Sequence, residues 1–281
     1  MACGSDTVAP AAPAPYVAPT AVPAAPAATA APLKTHPTAV PTPLGTQVQK
    51  GGTLRHSVAL AFKTMDPFFR TGYREQMVVF ALYDSLVQYG PNLDVTPDLA
   101  ESWEFSDGGK VITFKLRQGV KFHDGSDFNA QAVMYNWSQM MDPEYGAVRA
   151  RNTVGPGVTN WEAIDDNTFK VTMKAPWRPF LASLSQAEFR IRSPKALEDR
   201  GVDNFQINPS GTGAFEFGEW IPDNKLVLNA NKNYFVADRP HVDAIKFQHV
   251  PDHTVQLAMV RTGETDLVDD VKGYEVPLIE G

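Results

Sequence analysis

Between Glu101 and Val133 the apolar residues alternate with a period of two, and no other stretch restricts the fold as strongly. Trp103 and Phe105 fall on one side of a strand. Ile112, Phe114 and Leu116 fall on one side of the next, with Thr113 and Lys115 opposite. That alternation marks half-buried strands. Asp107-Gly108-Gly109 between them suits a hairpin turn, because glycine reaches positive φ without steric cost. Val120 and Phe122 open a third short strand, stopped by His123-Asp124-Gly125. Asn129 then has the chemistry of a helix N-cap, its side chain accepting from an orphan backbone N–H. The helix that follows carries Val133, Trp137, Met140 and Met141 on one face.

The rest of the chain is consistent with an α/β body on a tether. From Val8 to about Leu44 the sequence is almost entirely Ala, Pro, Thr and Val. Such a segment cannot bury enough apolar surface to offset its ordering entropy. Its prolines favour an extended, semi-rigid spacer. A tail without purpose and a Pro-rich ligand for another module are the other readings. Gly51-Gly52-Thr53 opens the globular part. Thr53 to Leu60 reads as a strand and Arg74 to Tyr83 as a helix. Gly146 to Asn160 reads as a loop, then Val158 to Ala163 and Thr168 to Lys174 as strands. Short helices are expected at Pro179–Leu184 and Lys195–Arg200, the second ended by Gly201 as C-cap. Phe215/Phe217, Leu226/Leu228 and Ile245–Phe247 give three more strands, and a helix runs from Asp252 to Gly263.

The formal net charge of −7 opposes a nucleic-acid partner, which needs clustered Lys and Arg. A single cysteine, Cys3, excludes an internal disulfide framework. Ala2-Cys3-Gly4-Ser5 before a Pro/Ala linker resembles a bacterial lipoprotein maturation site, where the cysteine becomes the lipid-modified first residue. An ordinary cysteine in a loose tail is the alternative. On the lipoprotein reading, a signal segment is expected ahead of Cys3.

Several ordered strings carry a family resemblance: Glu101-Ser102-Trp103, Asp107-Gly108-Gly109-Lys110, Thr113–Arg117 and Gly119-Val120-Lys121-Phe122-His123-Asp124-Gly125. Asn208-Pro209-Ser210-Gly211-Thr212-Gly213, Asn231-Lys232-Asn233-Tyr234 and Gly263-Glu264-Thr265-Asp266 continue it. Together they resemble the extracellular solute-binding proteins of family 5, the dipeptide-, oligopeptide- and nickel-binding components of ABC importers. Ala214 stands where the family often has proline.

The resemblance implies a periplasmic-binding-protein-like α/β fold of class II, cluster C type. That fold has two lobes; this chain is expected to supply mainly lobe I, with lobe II and the returning last strand absent. A sheet edge or groove is then expected to be uncovered. The implied layout is residues 1–50 as lipoprotein terminus and tether, 51–265 as lobe I, and 251–281 as the crossover toward lobe II. Within lobe I, 51–90 and 205–250 form a base and 91–204 an insert.

The resemblance also places a cleft wall. The loop after the first strand, with Ala59, Leu60, Ala61, Phe62 and Met65, is implied to face it. So are Phe189 and Arg190, and the hinge side of Gly211-Thr212-Gly213. Plain packing is the competing reading for each. Trp161, Trp177 and Trp220 divide in the same way between cleft and core. His123 is read as bracing the Asp124-Gly125 turn.

No catalytic centre assembles from these residues. There is no Gly-x-Ser-x-Gly elbow, no cysteine in the folded part, and no carboxylate pair that stands out. The Gly-rich string at Gly211 lacks the Gly-Lys-Ser/Thr ending of a phosphate loop. His241, Asp243, His249, Asp252 and His253 make the most metal-like cluster, but His249 falls in a strand and His253 just after a cap. No metal and no cofactor is expected. The expectation is a non-enzymatic substrate-binding lipoprotein outside the cytoplasmic membrane, anchored to its outer face or periplasmic. It would capture peptides and pass them to ABC permease subunits. Nickel-chelate and oligosaccharide binders share the fold. A secreted hydrolase and an adhesion or scaffold lipoprotein are the readings from other classes.

Overall fold

The computed structural model describes residues 48, 50–69 and 72–276. Cys3 and the Pro/Ala tether lie outside the described residues. In chain order the elements are β1 (Thr53–Val58), α1 (Tyr73–Leu82), β2 (Val87–Tyr89), β3 (Val95–Pro97), β4 (Ala100–Ser106) and β5 (Val111–Leu116). Then come α2 (Ala130–Met141), α3 (Val148–Val154), β6 (Val158–Asp165), β7 (Thr168–Met173), α4 (Phe180–Leu184) and α5 (Pro194–Phe205). Finally come β8 (Phe215–Ile221), β9 (Lys225–Ala230), β10 (Ala244–His249), α6 (His253–Thr262) and β11 (Leu267–Val268).

Two larger sheets organise these elements. The alternating block builds an antiparallel four-stranded sheet ordered β4-β5-β7-β6. Ile112, Phe114 and Leu116 are buried, as the period of two requires. Phe114 lies opposite Phe169 on β7, and Trp137 of α2 packs on Phe169 with ring centroids 5.5 Å apart. Because α2 covers β6 and β7, the far edge strand β4 keeps Trp103 half-buried and leaves Phe105 54% exposed. Gly108 and Gly109 take positive φ (61° and 89°) in the connection, where glycine has no steric cost, and Asp107 joins them at 48°. Asn129 caps α2 by accepting from the Ala132 N–H at 2.9 Å, a contact that contributes about 1 kcal/mol.

The second sheet is ordered β11-β1-β10-β9-β8, with β1 parallel to both β10 and β11. Val58, Leu226, Leu228 and Phe247 bury their side chains against Val78, Val79 and Leu82 of α1 and Phe205 of α5. α6 starts on Asp252, whose carboxylate accepts from the N–H groups of Thr254 and Val255, and stops at Gly263 in the left-handed region.

Three local expectations are corrected. Val120 and Phe122 are buried but make no strand; a single bridge joins Lys121 to Asp127. The expected loop 146–160 contains α3, whose seven residues bury only Ala150 and Val154, too few to display a helical period. Gly201 breaks its helix as expected (φ 72°, ψ 164°), but the helix restarts and runs to Phe205.

A fully buried ion pair ties the loop after β1 to the segment before α5. Arg192 and Asp66 are both sealed from solvent, with Nη1 2.9 Å from Oδ2. Arg192 also donates to Tyr145 Oη, to Gln139 Oε1 and to Asn136 Oδ1, and its guanidinium lies 3.6 Å from the Phe68 ring centroid.

Candidate solute cleft

The segment Gly211-Thr212-Gly213 runs directly against the end of α1. A Cβ on Gly213 would sit 2.4 Å from the Ala81 carbonyl oxygen, and one on Gly211 2.2 Å from that of Leu82. Only glycine permits this approach. His123 braces this crossing rather than its own turn. The Gly211 N–H donates to Nδ1 at 3.2 Å, and Nε2 lies 3.0 Å from the Gly213 carbonyl. The imidazole is thus neutral with its proton on Nε2, and burial lowers its pKa, in keeping with that state.

The close approach puts Thr212 beside Asp84, the residue that follows Tyr83 at the end of α1. Thr212 Oγ1 donates to Asp84 Oδ2 at 2.9 Å, and Tyr234 Oη donates to Oδ1 at 3.1 Å. Arg190 joins from the segment after α4. Its Nη1 donates to the Tyr83 carbonyl at 3.1 Å and lies 3.6 Å from Asp98 Oδ2. The Ser85 N–H donates to the same Asp98 oxygen at 3.1 Å. Two buried carboxylates therefore share one buried guanidinium. Burial raises the pKa of Asp84, against the pull of Arg190 and the two hydroxyls. Burial and the neighbouring Asp84 push Asp98 up to about 7. Burial lowers that of Arg190, and burial and the Asp84 charge push the Tyr234 phenol upward.

These groups floor an open cleft of about 520 Å³. Asp84, Arg190 and Tyr234 line it, with Gln76 and Phe80 from α1 and the segment Ser185–Glu188 beyond α4. Phe80 is 46% exposed, and the Arg190 guanidinium lies 4.5 Å from its ring centroid. A cleft mixing aromatic faces with convergent polar groups suits a small polar solute. A second groove, about 550 Å³, opens between the starts of α2 and α5 beside Tyr135, Lys195 and Glu198.

Of the residues expected on a cleft wall, Arg190 lines this cleft. Leu60 is 61% exposed in the bend two residues beyond β1. Phe62 is buried edge-on against Phe247, and Met65 is buried with its carbonyl taken by Tyr83 Oη at 3.0 Å. Phe189, Gly211 and Thr212 are enclosed behind the cleft floor or in the core; Thr212 reaches the cleft only through Asp84. Trp161 and Trp177 pack against the core of the four-stranded sheet, and Trp220 against that of the other. Asp84, Asp98, Glu188 and Tyr234 were not singled out as site residues. The signal for Asp84 was a carboxylate inside the apolar run Leu82–Val87. In the His-rich cluster, His249 faces the Ala59 and Asp223 carbonyls, His253 pairs with Glu275 at 3.0 Å, and Asp252 caps α6.

A pH dependence follows from Asp98. Its carboxyl stays protonated to about pH 7 in the folded chain, but titrates near 3.9 when unfolded. Between those values the folded chain binds more protons, so this group's contribution to stability falls as pH rises, by on the order of a few kcal/mol. His123, with its lowered pKa, acts in the opposite sense below about pH 6.5. The difference between Asp98→Asn and the parent isolates the first effect. Thermal unfolding should show the variant gaining on the parent as pH rises from about 4 to 7, and no further above that. A pH-independent difference would contradict the assignment.

Residues 94–280 match the family described as bacterial extracellular solute-binding proteins, family 5 Middle. The glutathione-binding protein GsiB of Escherichia coli strain K12 is 32% identical over 224 residues, which is 80% of this chain and 43% of that protein. The periplasmic binding protein DppA of Helicobacter pylori, solved with the peptide STSA, is 29% identical with a TM-score of 0.76; the match covers 83% of this chain and 49% of that one. The binding protein AgaA of A. tumefaciens R10, solved with agropinic acid, is 26% identical with a TM-score of 0.76, covering 82% and 46%. The chain thus spans less than half the length of these relatives.

Proposed function

Because the chain belongs to the family 5 bacterial extracellular solute-binding proteins, we propose that it contributes one wall of a solute cleft in a peptide-capturing component of an ABC importer. The observation that carries this reading is the open cleft over Asp84, Arg190 and Tyr234, set on a fold shared with a protein solved around a bound peptide. We read residues 51–265 as one lobe, with 91–204 inserted into it and 251–281 leading toward a second lobe. Solute binding would shift an open–closed equilibrium between the two lobes. Capture breaks no bond; the work is recognition and release to permease subunits. Cys3 is the proposed lipid attachment point, the Pro/Ala segment holding the body off the outer face of the membrane. One acyl chain alone anchors weakly, so this role calls for more than one.

The test is retention without turnover. The chain is incubated with a defined mixture of two- to five-residue peptides, and bound and free fractions are identified by mass spectrometry. We expect peptides to be retained, more weakly than micromolar by this chain alone, and recovered intact. Cleavage products accumulating with time would instead support a hydrolase. No enrichment of any peptide would contradict the capture reading.

A further inference from the structure

The cleft holds one ion pair whose two members are in opposite situations. Glu188 is 4% exposed, in the short turn after α4 whose other residues, Ala187 and Phe189, are buried too. Its Oε1 accepts from Arg149 Nε at 2.8 Å, and among the described residues no other group bonds this carboxylate. The Arg149 side chain, by contrast, is 61% exposed. Both residues line the cleft.

A buried carboxylate needs a partner, because leaving its charge unpaired costs several kcal/mol. An exposed arginine gains little from the same bond, since it gives up water and rotamer freedom to make it. The pair is therefore easy to exchange from one side only: Glu188 stays, and Arg149 can be replaced by another cation that reaches the same place. The surroundings favour a cation there. Arg190, the other guanidinium of the cleft, is buried; its Nη1 is engaged with the Tyr83 carbonyl and Asp98, with Asp84 close by, and its Nε has no partner among the described residues. Phe80 and Tyr89, each 46% exposed, offer aromatic faces to the same cleft. Ser185, 3% exposed and also lining it, has a hydroxyl oxygen with no partner.

We propose that Glu188 receives a cationic group of the captured solute, a primary ammonium or guanidinium, and that Arg149 is an internal placeholder displaced when the solute enters. This rests on the capture reading above and deepens it: the solute class becomes peptides, or similar small molecules, with a basic group. Arg149 then tunes affinity without being required for it.

The test uses the isotope-labelled chain, observed by NMR at backbone amides and at arginine Nε–H groups. Two blocked peptides are titrated, N-acetylated and C-amidated Ala-Lys-Ala and Ala-Gln-Ala. The lysine peptide should shift the resonances of Phe80, Gln186 and Glu188 at about tenfold lower concentration than the glutamine peptide. It should also move the Arg149 Nε–H signal toward that of a free arginine. Arg149→Gln should tighten the lysine peptide about fivefold, and Glu188→Gln should erase the preference. If Glu188→Gln does not fold, as judged by loss of spectral dispersion, the Arg149→Gln titration decides. Equal binding of both peptides at these residues, or an Arg149→Gln variant that binds the lysine peptide no better, overturns the placeholder and leaves capture in this cleft intact. No shift at these residues with either peptide, in parent or variants, overturns both.

Discussion

Arg192→Met is expected to destabilise the chain by about 3–5 kcal/mol, a large part of the stability of an ordinary domain. The cause is what the substitution leaves behind. Asp66 is sealed from solvent and loses its ion-pair partner, and among the described residues only the Phe68 N–H at 2.9 Å still donates to its carboxylate. Asn136 Oδ1, Gln139 Oε1 and Tyr145 Oη also lose a donor. Methionine approximates the length of the stem but not the guanidinium stacked 3.6 Å from the Phe68 ring centroid, a contact of about 2 kcal/mol when desolvated. Urea unfolding measures the loss. Asp66→Asn combined with Arg192→Met should recover a substantial part of it, because the unpaired charge is gone. A loss below about 1 kcal/mol for the single variant would mean that the buried pair contributes little.

Gly213→Ala is the second large effect, with an expected cost of about 1–3 kcal/mol or more. Its Cβ would meet the Ala81 carbonyl oxygen and the Leu82 carbonyl carbon, each at 2.4 Å, and the Tyr83 nitrogen at 2.6 Å. These are backbone atoms at the end of α1, so no side-chain rotation relieves the clash. The segment must move away. It then loses the bond from the Gly213 N–H to the Leu82 carbonyl, the contacts of the Gly213 carbonyl with His123 and Asn231, and the Thr212–Asp84 bond. The variant should show a lowered melting temperature together with weakened peptide retention, since Asp84 lies under the cleft. An unchanged melting temperature would contradict the close approach on which this part of the structure depends.

What the residues announced in advance depended on how local the physics was. β5 was legible because Ile112, Phe114 and Leu116 meet one core at a spacing of two. α2 was legible because Asn129 caps it and Val133, Trp137 and Met140 repeat on one face. The capped ends of α6 were legible for the same reason. The cleft was less so. Arg190 was reached through the family resemblance, but Glu188 carries no pattern of its own; only its burial beside an exposed arginine separates it from a surface acid. Arg192 and Asp66 stand 126 positions apart, and no periodicity links them. Phe62 and Met65 follow the first strand as a cleft loop should, yet turn inward, because Phe247 and Tyr83 offer them packing that solvent does not.

Where a captured solute sits can be tested by photo-crosslinking, with a short peptide carrying a photoreactive phenylalanine and adducts mapped by mass spectrometry. If this chain supplies the wall proposed here, adducts should concentrate on Phe80, Arg149 and Gln186 and be competed away by excess unlabelled peptide. Adducts confined to Tyr135 and Lys195 in the groove between α2 and α5, with none at Phe80 or Gln186, would contradict it.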